Sequence, residues 1–377
     1  MTLIMNYWWA LVACAFCMTC WGSWSNTQKL AAKSWRFELF YWDYIIGLVL
    51  TAVVWGFTFG TFGDQGRTFI ADLKQANLQS IGYAMAGGAV WNIGNLLFVM
   101  AIALAGMAVA FPIGGGIAWL GGIFLNYFIE NQAAQMGGSS KVMLFTGVAI
   151  IFVAIYLSMA AYKKLAAHQK KPSTKGIMLS VVAGFFFALF YGLVVKSFDP
   201  TIAAGGAGKF GPFSGTLFFT LGALVTTVIF NPIVMKKPVQ GDPVTFQQYF
   251  AGGFKTHLIG VFGGLIWASG MAVSFMAIKS TDPAVSYALS NASPVVAILW
   301  GVFIWKEFKG APEGTNRLLA IMFSLFLAGL VIIGASKFID KKPEVTTPPA
   351  TVIDVPDMPE TPALPEVPDM PEVPSIN

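Results

Sequence analysis

The sequence predicts an all-α membrane protein of ten transmembrane helices, paired as two inverted five-helix repeats. Its composition, the number of long apolar segments and an internal sequence match each point there. Of the 377 residues, 56% are hydrophobic and only 11% charged, against roughly 25% charged in soluble domains. The 33 Phe and 12 Trp suit lipid-facing surfaces and the aromatic belts of membrane interfaces.

A span needs about 20 predominantly apolar residues. That ruler places helices at residues 5–27, 41–61, 79–102, 104–128, 142–162, 176–197, 212–233, 255–278, 282–305 and 317–337. The apolar segment from Met5 to Trp24 has no Lys or Arg before it and is too long for a signal-peptide core, so it reads as the first span. The third and fourth spans are nearly continuous, and only Ala105-Gly106 permits a turn between them. Residues 1–162 then form the first repeat, 163–175 a basic linker loop, 176–340 the second repeat and 341–377 an acidic, Pro-rich tail. The tail cannot bury a core and is expected to be disordered, either as a partner-binding segment or as a solvated spacer.

The net charge of +5 reports orientation rather than a nucleic-acid partner. Loops 1, 5, 7 and 9 carry fourteen of the cations (Lys29, Lys33, Arg36, Lys163, Lys164, Lys170, Lys171, Lys175, Lys236, Lys237, Lys255, Lys306, Lys309 and Arg317), and nine lie elsewhere. The positive-inside rule puts those loops in the cytoplasm and both termini outside, in a multi-pass protein of the cell (inner) membrane.

Self-comparison supplies the repeat. A shift of 176 residues lays the segment beginning at Gly87 over that beginning at Gly263. Gly87, Gly88, Trp91 and Gly94 then coincide with Gly263, Gly264, Trp267 and Gly270, and the Met-Ala-Ile at 100–102 with that at 276–278. Joining the third span to the eighth gives five spans per repeat, and an odd number inverts the second half in the membrane. That is the architecture in which secondary transporters hold a midplane site between two halves.

Polar groups within spans mark candidate functional positions, because an unpartnered amide in hydrocarbon is costly. Asn92 and Asn95 share one face of the third span beside Trp91. They read either as amides that bond a polar solute, with Trp91 and Trp267 stacking on it, or as interhelical hydrogen bonds. The fourth span carries Pro112 and Gly114, Gly115 and Gly116, which fit a broken helix beside a cavity or close helix packing. In the ninth, Tyr287, Ser290 and Asn291, with Ser286 and Ser293, make a polar stripe before Pro294 and read as a substrate surface. Asp43 is the carboxylate placed inside a predicted helix; it is the candidate for proton coupling, with interface anchoring as the plainer reading. Lys279 and Asp282 read as a pair marking the interface. Cys14, Cys17 and Cys20 lie within the first helix and read as packing residues. With His168 and His257 elsewhere, no metal or cofactor site is expected. Ala204 to Lys209 resembles a phosphate-binding loop only superficially, since Phe210 stands where Ser or Thr is needed.

The motifs Cys20–Lys29 (CWGSWSNTQK), Tyr41–Tyr44 (YWDY), Tyr83–Leu96 (YAMAGGAVWNIGNL), Leu125–Gln132 (LNYFIENQ) and Trp305–Phe308 (WKEF) resemble the drug/metabolite transporter superfamily. The resemblance is to its branch of bacterial sugar permeases, L-rhamnose/proton symporters and plant ureide permeases. It implies the fold of that superfamily and uptake of a neutral polar solute, often with protons.

The expected function is therefore a secondary-active permease for a neutral polar metabolite, a monosaccharide first, with Trp91, Asn92, Asn95, Trp267, Tyr287, Ser290 and Asn291 at the site and Asp43 as proton carrier. A ureide or purine permease, a multidrug or metabolite exporter, and a non-transporting scaffold or sensor are the alternatives. The expected partners are the small solute, a proton or cation, and the bilayer, with the chain a monomer or homodimer.

Overall fold

The computed structural model describes residues 1–32, 35–129, 137–166, 173–199, 202, 206–277, 280–281 and 283–339. Lys33, His168, Lys170, Lys171, Lys279, Asp282, Ala204 and the tail at 341–377 lie outside the described residues. Helix α1 (Tyr7–Ser23) gives way at Trp24 to α2 (Ser25–Ala31), and α3 (Phe37–Phe57), a short α4 (Phe69–Gln75) and α5 (Leu78–Ala105) follow. An interrupted helix comes next, made of α6 (Met107–Ala110), a π-helical turn (Phe111–Gly115) and α7 (Gly116–Ile129). Then come α8 (Gly138–Ala166), α9 (Thr174–Ser197), α10 (Pro212–Lys236), the short α11 (Phe246–Phe250) and α12 (Phe254–Met276). A second interrupted helix joins α13 (Pro283–Ser290), α14 (Pro294–Leu299) and a π-helical turn (Trp300–Ile304), and α15 (Thr315–Ile339) closes the described chain. Among the described residues there is no strand, only an isolated bridge between Phe198 and Phe210.

Local chemistry explains the boundaries. The Asn6 and Asn77 side chains accept from the Trp8 and Ser80 backbone N–H at the starts of α1 and α5. Gly106, at φ 81°, ends α5 in a conformation that disfavours other residues and lets the chain turn at once into α6.

Among the described residues, eight helices are individually long and apolar enough to cross a bilayer, where the sequence predicts ten spans. The first and fourth expected spans fall short for identifiable reasons. The first divides at Trp24, leaving 17 residues in α1. The fourth reaches the apolar length of only a shorter helix, Phe111–Leu125, which begins with the π-turn around Pro112.

Helix α5 packs most extensively on α9, and α3 on α12, while α10 lies against both α3 and α5 and α8 against α15. Glycine sets the closest crossings. A Cβ on Gly88 would fall 1.9 Å from the Phe219 carbonyl oxygen, and one on Gly264 would fall 2.1 Å from that of Tyr44, so only a bare backbone fits at either place.

The two ends of the bundle differ. At one, Arg67 is buried with Asp72 and Asp199; its Nη1 donates to Asp199 Oδ2 at 3.1 Å and its Nη2 to the Lys209 carbonyl at 2.6 Å. Asp72 also accepts from Arg67 Nε and, at 2.8 Å, from the Gly211 N–H. An apolar cluster of Met1, Leu3, Phe69, Ile202, Phe213 and Met276 packs at the same end. At the other end a vestibule of about 740 Å³ opens between α2, the end of α5 and the segment after α10. Across it Lys29 Nζ donates to Glu307 and lies 4.4 Å over the Trp305 ring. Beside it Arg36 bonds Glu38 and the carbonyl oxygens of Gln240 and Asp242.

Candidate functional site

A cavity of about 60 Å³ lies between the halves of the chain, with Trp21, Trp24, Trp91, Asn95, Trp267 and Asn291 among the residues on its walls. Trp91 and Asn95 stand near the middle of the 28-residue α5, which is about 42 Å long at 1.5 Å per residue, so the cavity lies deep within the membrane span. Space of that size holds a few waters. Its described lining residues include no charged side chain. Trp24 and Gln28 are one helical turn apart, and Gln28 lines the vestibule, so a thin layer of side chains separates the two spaces.

The walls are aromatic. The Trp91 and Trp267 ring centroids are 4.2 Å apart, and Trp267 lies nearly parallel to Trp21 at 5.2 Å and to Phe219 at 5.6 Å. Trp21 Nε1 donates to the Trp267 backbone carbonyl at 3.1 Å, fixing that indole.

Of the residues singled out in the sequence, the structure brings Trp91, Asn95, Trp267 and Asn291 to this cavity. Asn92 lies one turn away, with its Oδ1 accepting from the Tyr41 hydroxyl and its Nδ2 donating to Thr226 and Thr227. The Tyr287 hydroxyl donates to the Ala118 carbonyl at 2.8 Å, and Ser290 Oγ is 3.1 Å from Ser274 Oγ. Asn291 occupies the break between α13 and α14, where its Nδ2 donates to the Tyr287 carbonyl at 3.2 Å. Trp21 and Trp24 were not among the expected site residues. Their i, i+3 spacing within the CWGSW motif is the signal that places both on one face.

Asp43 lies elsewhere, buried near the start of α3. Its Oδ1 accepts from the Tyr249 hydroxyl at 2.7 Å and faces His257 Nδ1 at 2.8 Å. Its Oδ2 is buried without a hydrogen-bond partner. Tyr249, on the short helix outside the spans, has its pKa raised above the ordinary phenol value, first by burial and then by its bond to the Asp43 carboxylate. His257, 214 residues from Asp43 in the chain, could not be matched to it from sequence spacing.

Comparison with known proteins points to a membrane transporter. Ureide permease 1 of Arabidopsis thaliana is 24% identical over 84% of this chain and 93% of its own length. Ureide permease 2 of the same plant is 25% identical over 84% and 94%. A Listeria innocua protein named for sugar uptake is 24% identical over 67% of this chain and 79% of its own. A solved crystal structure, 13% identical, shares the fold with a TM-score of 0.52 over 86% of this chain and 95% of that one. The relatives are permeases rather than enzymes, and the profile of the ureide permease family matches residues 40–175 and 164–336. This multi-pass membrane transporter belongs to the ureide permease family.

Proposed function

We propose that the chain is a secondary-active permease that takes up a small neutral polar metabolite through the central cavity. The observation that carries this reading is the cavity itself: deep in the span, walled by tryptophan, supplied with amide groups from both halves, and without a charged side chain among its described lining residues. Such walls suit a flat or ring-shaped solute with hydrogen-bonding edges. A ureide is the first candidate, because family membership and the plant relatives cover most of the chain. A monosaccharide is the second, favoured by the Listeria relative and by indoles suited to a sugar ring.

The inverted-repeat reading is supported by reciprocal contacts. A Cβ on Gly94 would meet Phe186 Cβ at 2.7 Å and the Ala183 carbonyl at 3.3 Å; one on Gly270 would meet Cys20 Cβ and the Cys17 carbonyl at the same two distances. A Cβ on Gly147 would fall 2.9 Å from the Gly329 carbonyl oxygen, and one on Gly329 the same distance from that of Gly147. Packing of α3 on α12 mirrors that of α10 on α5 in the same way. Ten passes in two inverted units account for these correspondences, with α1–α2 and the interrupted α6–α7 as the two additional passes. In this arrangement the vestibule opens to the cytoplasm, because the Lys- and Arg-rich loops border it.

Proton coupling, in this reading, resides in the Asp43–His257 pair. Its buried carboxylate and half-exposed imidazole join α3 to α12, the helix that carries Trp267 to the cavity. Proteoliposome uptake of labelled hydantoin and labelled glucose, with and without an inward proton gradient, tests the reading. Saturable uptake of one of them is expected, and absence of saturable uptake of both contradicts it. Asp43→Asn should keep solute exchange and lose gradient-driven accumulation; undiminished accumulation would remove Asp43 from the coupling.

A further inference from the structure

The hydroxyl and amide groups beside the cavity form a chain whose hydrogen-bond direction is forced by counting protons. The Thr227 hydroxyl donates to the Ala223 carbonyl at 2.8 Å, and the Thr226 hydroxyl, at 3.0 Å from both the Gly222 and Ala223 carbonyls, is likewise committed. Each has one proton, so towards Asn92 each can only accept. Asn92 must therefore turn its Nδ2 to both threonines, at 2.9 Å each, and its Oδ1 to Tyr41. The single Tyr41 proton is used in donating to that Oδ1 at 2.8 Å. Towards Asn95 the Tyr41 oxygen can then only accept, which it does from Nδ2 at 3.1 Å. Thr226, Thr227, Asn92 and Tyr41 are buried away from the cavity wall, so water does not relax the constraints that lead to Asn95.

We infer that Tyr41 is a positioning residue that locks the Asn95 amide, so that the Asn95 Oδ1 is presented to the central cavity as an acceptor for an N–H or O–H of the solute. The Tyr44 hydroxyl is buried beside Asn95, and the Asn95 Oδ1 has two lone pairs. Asn291 reaches the same result independently. Its Nδ2 faces the Tyr287 carbonyl, which can only accept, so its Oδ1 is also left for the cavity. Two amide oxygens, one from α5 and one from the break after α13, thus read the solute's donors. An amide free to rotate would accept either edge of a solute; one held by Tyr41 rejects a solute that lacks a donor there, because a buried acceptor would be left unpaired.

The inference rests on the permease reading for its solute, and two measurements keep the two separable. The first needs no solute. In the full chain labelled with ¹⁵N in asparagine side chains, the Asn95 amide protons, assigned by their loss in Asn95→Leu, should exchange with water at least about tenfold more slowly in the wild type than in Tyr41→Phe. Equal exchange in the two proteins would overturn the relay. The second uses the wild type, so it survives a failure of Tyr41→Phe to fold. Competition for transport by hydantoin is compared with that by 1,3-dimethylhydantoin, which lacks both N–H groups, and 5,5-dimethylhydantoin, which keeps them at the same bulk. The N-methylated compound should compete at least about tenfold more weakly than the C-methylated one, and in Tyr41→Phe that ratio should collapse. Equal competition by the two would overturn donor recognition. Failure of all three to compete would count against a ureide in the proposed function, while amide exchange would still decide the relay.

Discussion

The two ends of the bundle carry similar chemistry in different solvents. At the sealed end, Arg67, Asp72 and Asp199 are each at most 3% exposed in their side chains, and Arg67 and Asp72 each make a further hydrogen bond to a backbone group. At the vestibule end, Lys29 and Glu307 are 33% and 23% exposed. An ion pair that water can replace contributes little, whereas a buried one whose partner is removed leaves a desolvated charge. The comparison teaches that the Arg67 cluster is costly to break, while the Lys29–Glu307 pair across the vestibule can exchange its bond for water.

The largest effect should come from Arg67→Ala, which strands two buried carboxylates. It should lower unfolding stability by about 3–5 kcal/mol, read from denaturant or thermal unfolding in detergent; a loss under about 1 kcal/mol would mean that the cluster is not costly to break. Arg36→Ala should fall between the ends. Glu38 is fully buried but lies in the first turn of α3, where the helix dipole favours its charge, so a loss of about 1–3 kcal/mol is expected. Lys29→Ala should cost no more than about 1 kcal/mol, and added salt should shrink the difference from wild type. A salt-independent loss as large as that of Arg67→Ala would erase the contrast between the ends.

The smallest effect concerns pH at the vestibule end. The Tyr249 pKa is raised in the folded chain, so the unfolded phenol ionises first as pH climbs past its ordinary value of 10.0. Stability from this group is therefore complete below that pH and declines above it, towards the folded value. Tyr249→Phe should flatten the alkaline fall in thermal midpoint, and an unchanged slope would assign the fall to other groups.

The all-helical, multi-pass character was legible in the sequence, and the glycines that the self-comparison matched, Gly88 with Gly264 and Gly94 with Gly270, each stand at a close helix contact. Helix continuity was less so. The first helix divides at Trp24 and Pro112 stands in a π-turn, and neither event changes the apolar composition that a span count reads. Within the site, Asn92 and Asn95 share a face and look alike in sequence. Only the tertiary partners Tyr41, Thr226 and Thr227 distinguish an amide wholly bonded to protein from one with an oxygen left for the cavity. Likewise Asp43 could be named as a buried acid, but its partners His257 and Tyr249 lie more than 200 residues away in the chain.

The central claim, that solute crosses through the cavity between the two Trp-lined halves, is tested most directly by solute counterflow in proteoliposomes containing either the wild type or Asn95→Leu. The substitution keeps side-chain volume while removing the amide. With wild-type stability verified by thermal unfolding, Asn95→Leu should lose at least about tenfold in exchange rate at low solute concentration; exchange equal to that of the wild type would contradict the account.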